Sequence, residues 1–291
     1  MTPRDVITAV FITFCWGMGF IAIKTCVDGI PSLVLCATRS IVLCAALIFI
    51  RPPKVSVKYI LAIGFCLGIL HSLFAYLPVE MGLPASTTCL VLQTQVFFTV
   101  LLAAWFYAEP LKIKNIFAMT LSFTGIAILT GWSAGAMNYK LALFVAILSA
   151  LTMGLTNMIL KKVPKSEVIP TMAWSHLTVP IPLLLLYMSS NEALPIATIM
   201  QLYTWKSGVG ILYLAFVGLF TYGAWGKLLQ KYPTYYVAPF SLLTPIFGIS
   251  ASVLFLGENF TNKMLWASCF VFLGLVINQL NLTRSPKKTT F

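Results

Sequence analysis

The polar residues best suited to bind a ligand lie inside long apolar stretches of the sequence. In the stretch 85–107, Thr88, Gln95 and Thr99 are separated by seven and four residues, so a regular helix places them on one stripe. Gln93 is rotated by about 200° from Gln95, so the two amides face different neighbours. Such groups recognise a small polar solute through hydrogen bonds. We favour Gln95 for ligand contact, and the alternative for both glutamines is hydrogen bonding to adjacent helices.

Two other apolar stretches carry polar residues at helical spacing. Ser241 and Thr244 lie on one stripe of the stretch 235–256, and Thr244 is equivalent to Gln95 in an internal repeat described below. In the stretch 141–160, Asn157 is a candidate for ligand contact, with an interhelical hydrogen bond as an equally weighted alternative.

Aromatic and cationic residues form a second group of candidates for substrate binding. Phe20 and Lys24 share a stripe near the end of the first apolar stretch. The lysine either extends its amine to the membrane interface or attracts an anionic group such as a carboxylate. Tyr222 and Trp225 share one face of a later helix, where the rings either bind a polar solute at one edge or only pack.

A third group could contribute charge or energy coupling. His71 precedes the candidate ligand residue Tyr76 in the stretch 59–79, near the middle of a predicted helix. Because a histidine changes charge near neutral pH, His71 could couple transport to protons, although facilitated diffusion or exchange is the favoured alternative. Arg39 lies inside the stretch 33–50 and needs a hydrogen-bonding partner or an aqueous cavity, because no acid is placed in a predicted helix core.

The acidic residues argue against an ion pump or a sodium symporter, because such proteins usually bury carboxylates within the membrane. All seven fall at predicted helix ends or in loops: Asp5, Asp28, Glu80, Glu109, Glu167, Glu192 and Glu258. The sequence also lacks the motifs of zinc proteases, serine hydrolases and nucleotide-binding loops. We therefore predict no enzyme activity, no cofactor and no metal site.

The elements that position these residues must be membrane-spanning helices. Of the 291 residues, 59% are hydrophobic and 9% are charged, which is too apolar for a water-exposed surface. A crossing needs about 20 residues. Ten apolar stretches approach this length: 6–24, 33–50, 59–79, 85–107, 114–131, 141–160, 168–188, 208–229, 235–256 and 263–280. The predicted fold is an all-α integral membrane protein with ten transmembrane helices in the lipid bilayer, without a soluble domain.

The net charge of +12 does not indicate a nucleic-acid partner. With the N-terminus in the cytoplasm, fourteen of the 19 basic residues fall on the cytoplasmic side and four fall outside, while Arg39 lies within a helix. This asymmetry follows the positive-inside rule. It predicts a multi-pass protein of the cell membrane, the inner membrane in a bacterium, with both termini in the cytoplasm.

The sequence also repeats itself. At an offset of 149 residues Gly125 pairs with Gly274, and at an offset of 137 Gly17 pairs with Gly154. Each half then has five helices, and because five is odd, the second half is inverted in the membrane relative to the first. The predicted units are a first five-helix repeat at 1–136, a second, inverted five-helix repeat at 137–282, and a basic cytoplasmic tail at 283–291.

Four motifs resemble one transporter family. These are WGMGF at 16–20, VLQTQVFFT at 91–99, YGAWGKLL at 222–229 and VAPFSLLTP at 237–245. They are similar to EamA-type transporters of the drug/metabolite transporter superfamily, and most similar to its bacterial exporters of O-acetylserine and cysteine. The resemblance implies two inverted repeats around a central cavity lined by helices 1, 3, 4, 6, 8 and 9. The sequence departs from these exporters at Glu80, where a neutral residue is expected.

The sequence thus predicts a secondary transporter that exports small amino-acid metabolites, resembling O-acetylserine or cysteine, by alternating access. The alternatives are metabolite uptake, transport of drugs or nucleotide derivatives by the same fold, and a membrane receptor or scaffold that moves nothing. The predicted partners are a small-molecule substrate and the bilayer, with the chain acting as a monomer or a homodimer.

Overall fold

A computed structural model describes residues 1–108, 111–130, 137–189, 196–202, 204–232, 237, 240–241 and 243–279. These residues form helices and connections, with no strand among them. We number the helical segments α1 (Pro3–Val27), α2 (Ser32–Phe49), α3 (Val57–Glu80), α4 (Ala85–Tyr107), α5 (Ile113–Thr130), α6 (Met137–Leu160), α7 (Lys165–Ser189), α8 (205–231), α9 (Leu243–Leu256) and α10 (Asn262–Gln279). A short helix, Ile196–Leu202, precedes α8. Glu109, Glu192 and the predicted tail 283–291 lie outside the described residues.

Seven segments, α1 to α4 and α6 to α8, contain helices long and apolar enough to cross a membrane. The apolar helices of α5, α9 and α10 are shorter within the described residues. Large apolar side chains cover the outer surface, where Phe49, Trp105 and Trp205 are 88%, 80% and 84% exposed. Because water would not favour so many exposed rings, this surface fits a lipid environment.

Several of the long segments depart from regular α-helix, and α3, α4 and α8 do so next to candidate residues. The α4 segment is interrupted between Leu92 and Gln95, where the backbone N–H groups of Gln93 and Thr94 bond to carbonyls three residues earlier. The α3 and α8 segments each contain a π-helical stretch, Gly64–His71 and Val217–Thr221. Such stretches are frequent at functional sites. The helix around the polar stripe of α4 is therefore not the regular helix that the sequence spacing assumed.

Helices α5 and α10 contact each other through two equivalent pairs of residues, in which each helix supplies the glycine of one pair and the alanine of the other. An added Cβ on Gly125 would lie 2.7 Å from the Ala267 carbonyl oxygen, and one on Gly274 would lie 2.5 Å from the Ala118 carbonyl oxygen. Both glycines and both alanines are 149 residues apart. Such reciprocal contacts are those of an approximate two-fold axis between the two helices.

The crossings of α1 with α9 and of α6 with α4 show the same reciprocity. An added Cβ on Gly17 would lie 2.8 Å from the Cβ of Phe247, and one on Gly154 would lie 3.0 Å from the Cβ of Phe98. These pairs are related by the offsets of 137 and 149 found in the sequence. The glycines let the helix backbones approach closely, which places α1, α4, α6 and α9 side by side in the interior.

Candidate functional site

The interruption of α4 places two amides inside the bundle without internal partners. Gln93 is 5% exposed, and Gln95 is half-buried. Within the described residues no hydrogen bond involves either amide side chain, and neither amide is among the fully enclosed polar atoms that lack a partner. A buried amide that is left without partners loses free energy unless water or a ligand satisfies it. The α4 interruption is therefore a strong candidate for contact with a polar solute.

A short chain of hydrogen bonds connects α4 to α6 beside this interruption. The Asn157 amide donates to the Thr99 hydroxyl oxygen at 3.0 Å, and that hydroxyl donates to the Gln95 carbonyl oxygen at 2.8 Å. The structure thus brings together three of the candidates identified from the sequence. The bond to Thr99 fixes the nitrogen edge of the Asn157 amide. The amide oxygen of Asn157 has no hydrogen-bond partner among the described residues, so it can accept one from a ligand.

Three other polar candidates lie in different surroundings. Thr88 is fully buried, and its hydroxyl donates to the Pro84 carbonyl oxygen of its own helix at 3.1 Å. Thr244 is 4% exposed at the crossing of α9 with α1 and α4. Ser241 is half-buried just before α9. Within the described residues, Thr88 and Thr244 form no hydrogen bond to the Asn157 chain. Contact of Thr88, Thr244 and Ser241 with a ligand stays a prediction.

An aromatic cluster joins α1 to α8. The Trp16 ring lies 5.3 Å from the Tyr222 ring and 5.0 Å from the Trp225 ring, measured between centroids. The Trp16 indole N–H donates to the Thr221 hydroxyl oxygen at 2.8 Å, in the π-helical stretch of α8. Phe20 lies one turn further along α1 and is 8% exposed. The sequence pointed to Phe20, Tyr222 and Trp225 but missed Trp16, although Trp16 opens the WGMGF motif.

Arg39 is buried at the interface of α2 with α3. It is 9% exposed, and its Nη2 donates to the Ser72 hydroxyl oxygen at 2.8 Å. The guanidinium lies 5.8 Å from the centroid of the Tyr76 ring, which is itself 3% exposed. Within the described residues, no carboxylate forms an ion pair with this arginine. The sequence predicted that Arg39 needs a hydrogen-bonding partner. The Ser72 hydroxyl and the Tyr76 ring stabilise part of its charge.

His71 connects α3 to α6 through Ser149. Its Nδ1 lies 3.0 Å from both the backbone carbonyl oxygen and the hydroxyl of Ser149, and that hydroxyl donates to the His71 carbonyl oxygen at 2.9 Å. The sequence singled out His71 but gave no sign of Ser149, which is 78 residues away. One ring nitrogen is thus engaged, and the proton-coupling role of His71 stays a prediction.

Two of the acidic residues, which the sequence placed at helix ends, bind the starts of other helices. Glu80 accepts a hydrogen bond from the Ser32 N–H at 2.8 Å, and Glu258 accepts one from the Ala85 N–H at 2.6 Å. A carboxylate at a helix N-terminus satisfies free N–H groups and the helix dipole. The departure at Glu80 therefore has a structural role at the start of α2.

Two ion pairs lie at the ends of α1 and α2. Arg51 bonds to Glu167 at 2.7 Å, which joins the end of α2 to the start of α7. Hydrogen bonding to the Glu167 carboxylate raises the pKa of Arg51 above its usual range, so this arginine stays charged. Lys24 pairs with Asp28 at the end of α1. Lys24 thus has a local partner in addition to its predicted attraction for anions.

The described residues contain no group of three His, Cys, Asp or Glu side chains that could hold a metal ion. What they contain is a set of amides, hydroxyls, rings and one guanidinium inside an apolar helical bundle. Such groups form reversible hydrogen bonds with polar solutes, and their enclosure in an apolar bundle is typical of an integral membrane protein with a polar interior.

The sequence pattern of the EamA-like transporter family matches residues 4–131 and 140–279. The chain therefore belongs to this family and contains two copies of its repeat, which confirms the resemblance seen in the motifs.

Two curated relatives and one solved structure align along nearly the whole chain. A protein of Salmonella typhimurium LT2, named probable amino-acid metabolite efflux pump, is 30% identical over 285 residues, covering 96% of this chain and 95% of the relative. A protein of Escherichia coli K12 with the same name is 29% identical over 289 residues, covering 97% of each. A crystal structure with 15% sequence identity aligns with a TM-score of 0.58 over 95% of this chain and 96% of its own, which shows a shared fold.

Proposed function

We propose that this protein is a secondary transporter that exports small amino-acid metabolites, resembling O-acetylserine or cysteine, across the cell membrane by alternating access. The observation that carries the proposal is the near full-length similarity to two relatives named as probable amino-acid metabolite efflux pumps. The interior supports it, because amides and hydroxyls of α4 and α6 offer hydrogen bonds to a small polar solute. Membership of a transporter family also favours transport over catalysis.

The proposed architecture has ten transmembrane helices, α1 to α10, in two inverted five-helix repeats. The units are residues 1–136 and 137–282, followed by the basic tail 283–291. The reciprocal contacts of α5 with α10 favour this arrangement, because two antiparallel helices that exchange equivalent partners are related by an axis in the membrane plane. The chain acts as a monomer or a homodimer in the inner membrane of a bacterial cell.

The proposed orientation places both chain termini in the cytoplasm. A cysteine introduced at Asn138 should then react with a membrane-impermeant thiol reagent in spheroplasts, while a cysteine at Ser56 should not. Cys269 is exposed in the native chain and is replaced by serine in both variants. Labelling at Ser56→Cys together with protection at Asn138→Cys would reverse the orientation.

The proposed mechanism alternates between closures at the two ends of the bundle. With this orientation, the Arg51–Glu167 pair at 2.7 Å and the Lys231–Asp5 pair at 2.8 Å lie at the cytoplasmic end. Each pair joins a helix of the first repeat to a helix of the second. The bonds from Ala85 and Ser86 to Glu258 lie at the opposite end and also join the two repeats. Access from one side requires the bonds of that side to open, while the others hold.

The substrate is proposed to bind between these two ends. Gln95 and Asn157 contact it through their amides, with Gln93 and Thr99 beside them. The rings of Phe20, Tyr76, Tyr222 and Trp225 form an apolar wall. Ser241, Thr88 and Thr244 remain further candidates, and His71, Lys24 and Arg39 supply the charge.

A transport screen in sealed proteoliposomes tests the proposed function. Purified protein is reconstituted, and efflux of labelled cysteine, O-acetylserine, other amino acids, nucleosides and cationic drugs is compared with efflux from protein-free liposomes. We expect efflux of cysteine and O-acetylserine to exceed that of the nucleosides and drugs. Binding without movement would favour a receptor. Selective movement of nucleosides or drugs would overturn the proposed substrate class.

A further inference from the structure

The Arg39 guanidinium is an unbalanced positive charge inside the bundle. It is 9% exposed, and in the described part of the chain no carboxylate pairs with it. A charged side chain at membrane depth is costly unless a partner or water compensates it. By comparison, Arg51 at the end of α2 has a bidentate carboxylate partner in Glu167, with N–O distances of 2.7 and 3.1 Å.

The contacts of Arg39 leave most of its donors unused. A guanidinium has five N–H donors in a planar fork. One nitrogen, Nη2, donates to the Ser72 hydroxyl oxygen, and that hydroxyl donates onward to the Leu67 carbonyl oxygen. Nε is buried and has no hydrogen-bond partner among the described residues. The Tyr76 ring offers its face but no full negative charge.

The surroundings of the guanidinium are built from irregular helix. Ser72 directly follows the π-helical stretch of α3, Gly64–His71. On the other side, Gly218 lies in the π-helical stretch of α8, where an added Cβ would be 3.8 Å from Nη1 of Arg39. An added Cβ at that distance would make an ordinary van der Waals contact, so the α8 backbone lies close to the guanidinium on this side. Two π-helical stretches, one in each repeat, therefore meet at one buried cation.

We propose that Arg39 binds the carboxylate group of the exported substrate between the π-helical stretches of α3 and α8. A carboxylate matches the planar fork and supplies the missing negative charge. The proposal rests on the proposed function and adds a chemical requirement to it, namely that substrates carry a free carboxylate. A cationic amine without a carboxylate should bind poorly, because it would place a second positive charge near the first.

The test compares two competitors that differ in the carboxylate. Proteoliposomes take up labelled cysteine under reducing conditions, and the inhibition constants of unlabelled cysteine and of cysteamine, its decarboxylated analogue, are measured. For the wild-type protein we expect cysteine to compete roughly ten- to a hundredfold better, as for the loss of a charged hydrogen-bond pair. In Arg39→Gln the two competitors should become nearly equal. Arg51→Gln is the matched control, and it should keep the wild-type ratio whatever its transport rate.

A second variant and the wild-type measurement itself test the proposal even if the Arg39→Gln protein does not fold. Arg39→Lys retains the charge without the fork, and its ratio should fall severalfold below that of the wild type. Equal competition by cysteine and cysteamine in the wild-type protein would overturn the role of Arg39 while leaving the proposed function intact. An unchanged ratio in a folded Arg39→Gln protein would do the same. A wild-type protein that moves no amino acid would overturn the proposed function, and the role of Arg39 with it.

Discussion

At Asn157, mutations can distinguish a role in ligand contact from a role in packing α6 against α4. Its amide donates to Thr99 at 3.0 Å, and the amide oxygen has no hydrogen-bond partner among the described residues. If Asn157 only joins α6 to α4, then Asn157→Leu and Thr99→Val break the same bond. If it contacts the substrate, Asn157→Leu removes a second interaction that Thr99→Val leaves in place.

The expected magnitudes follow from the two kinds of hydrogen bond. A neutral interhelical bond contributes about 1 kcal/mol, and a bond to a charged group about 1.5–3 kcal/mol. We therefore expect Thr99→Val to lower transport efficiency only severalfold. Asn157→Leu should lower it by a further factor of roughly 10 to 100. Transport efficiency here is the maximal rate divided by the half-saturation concentration, measured in proteoliposomes with equal amounts of protein.

The double variant decides between the two roles. We expect Asn157→Leu to reduce transport efficiency in the Thr99→Val background nearly as much as in the wild-type background. An Asn157→Leu change without effect in the Thr99→Val background would refute ligand contact and leave Asn157 as a packing residue. Thermal unfolding of all four proteins in detergent controls for loss of folded protein.

Two further predictions concern α4 and α1. The Gln95→Leu protein should insert and fold, but its transport rate should fall by a factor on the order of 10 to 100. Gln93→Leu should lower the transport rate less. An equal loss in both variants would show that the two amides do not differ in role. Gly17→Ala should destabilise the protein by about 1–3 kcal/mol, because its Cβ would meet the Gly248 backbone nitrogen at 2.7 Å. Gly19→Ala is its control, since nothing lies within 4 Å of an added Cβ there, and equal unfolding midpoints for the two variants would contradict this packing.

Apolar length made the helices predictable from the sequence. The stretch 85–107 coincides with α4, and the stretch 6–24 lies within α1. The offset of 149 also recurs in the structure, where the Ser122 hydroxyl donates to the Val271 carbonyl oxygen at 3.2 Å. These features depend on composition and local pattern, which a single sequence displays directly.

The geometry of the site was less predictable, because it depends on irregular backbone and distant pairs. The spacing rule assumes regular helix and therefore missed the interruption at Gln93 and Thr94 and the two π-helical stretches. The bond from Arg39 to Ser72 joins residues 33 positions apart, and nothing in either stretch identifies the other. Asn157 and Thr99 were both recognised as polar, but their pairing required the packing of α6 on α4.

Counterflow in proteoliposomes tests the central claim most directly. Vesicles loaded with unlabelled cysteine or O-acetylserine are diluted into a trace of the same labelled compound. A carrier that alternates access carries mostly labelled solute on its return into the vesicle. We therefore predict a transient accumulation of label inside the vesicles above the external concentration, absent from protein-free liposomes. Entry that rises only to equilibrium would indicate a channel, and no entry with either compound would contradict export of amino-acid metabolites by this protein.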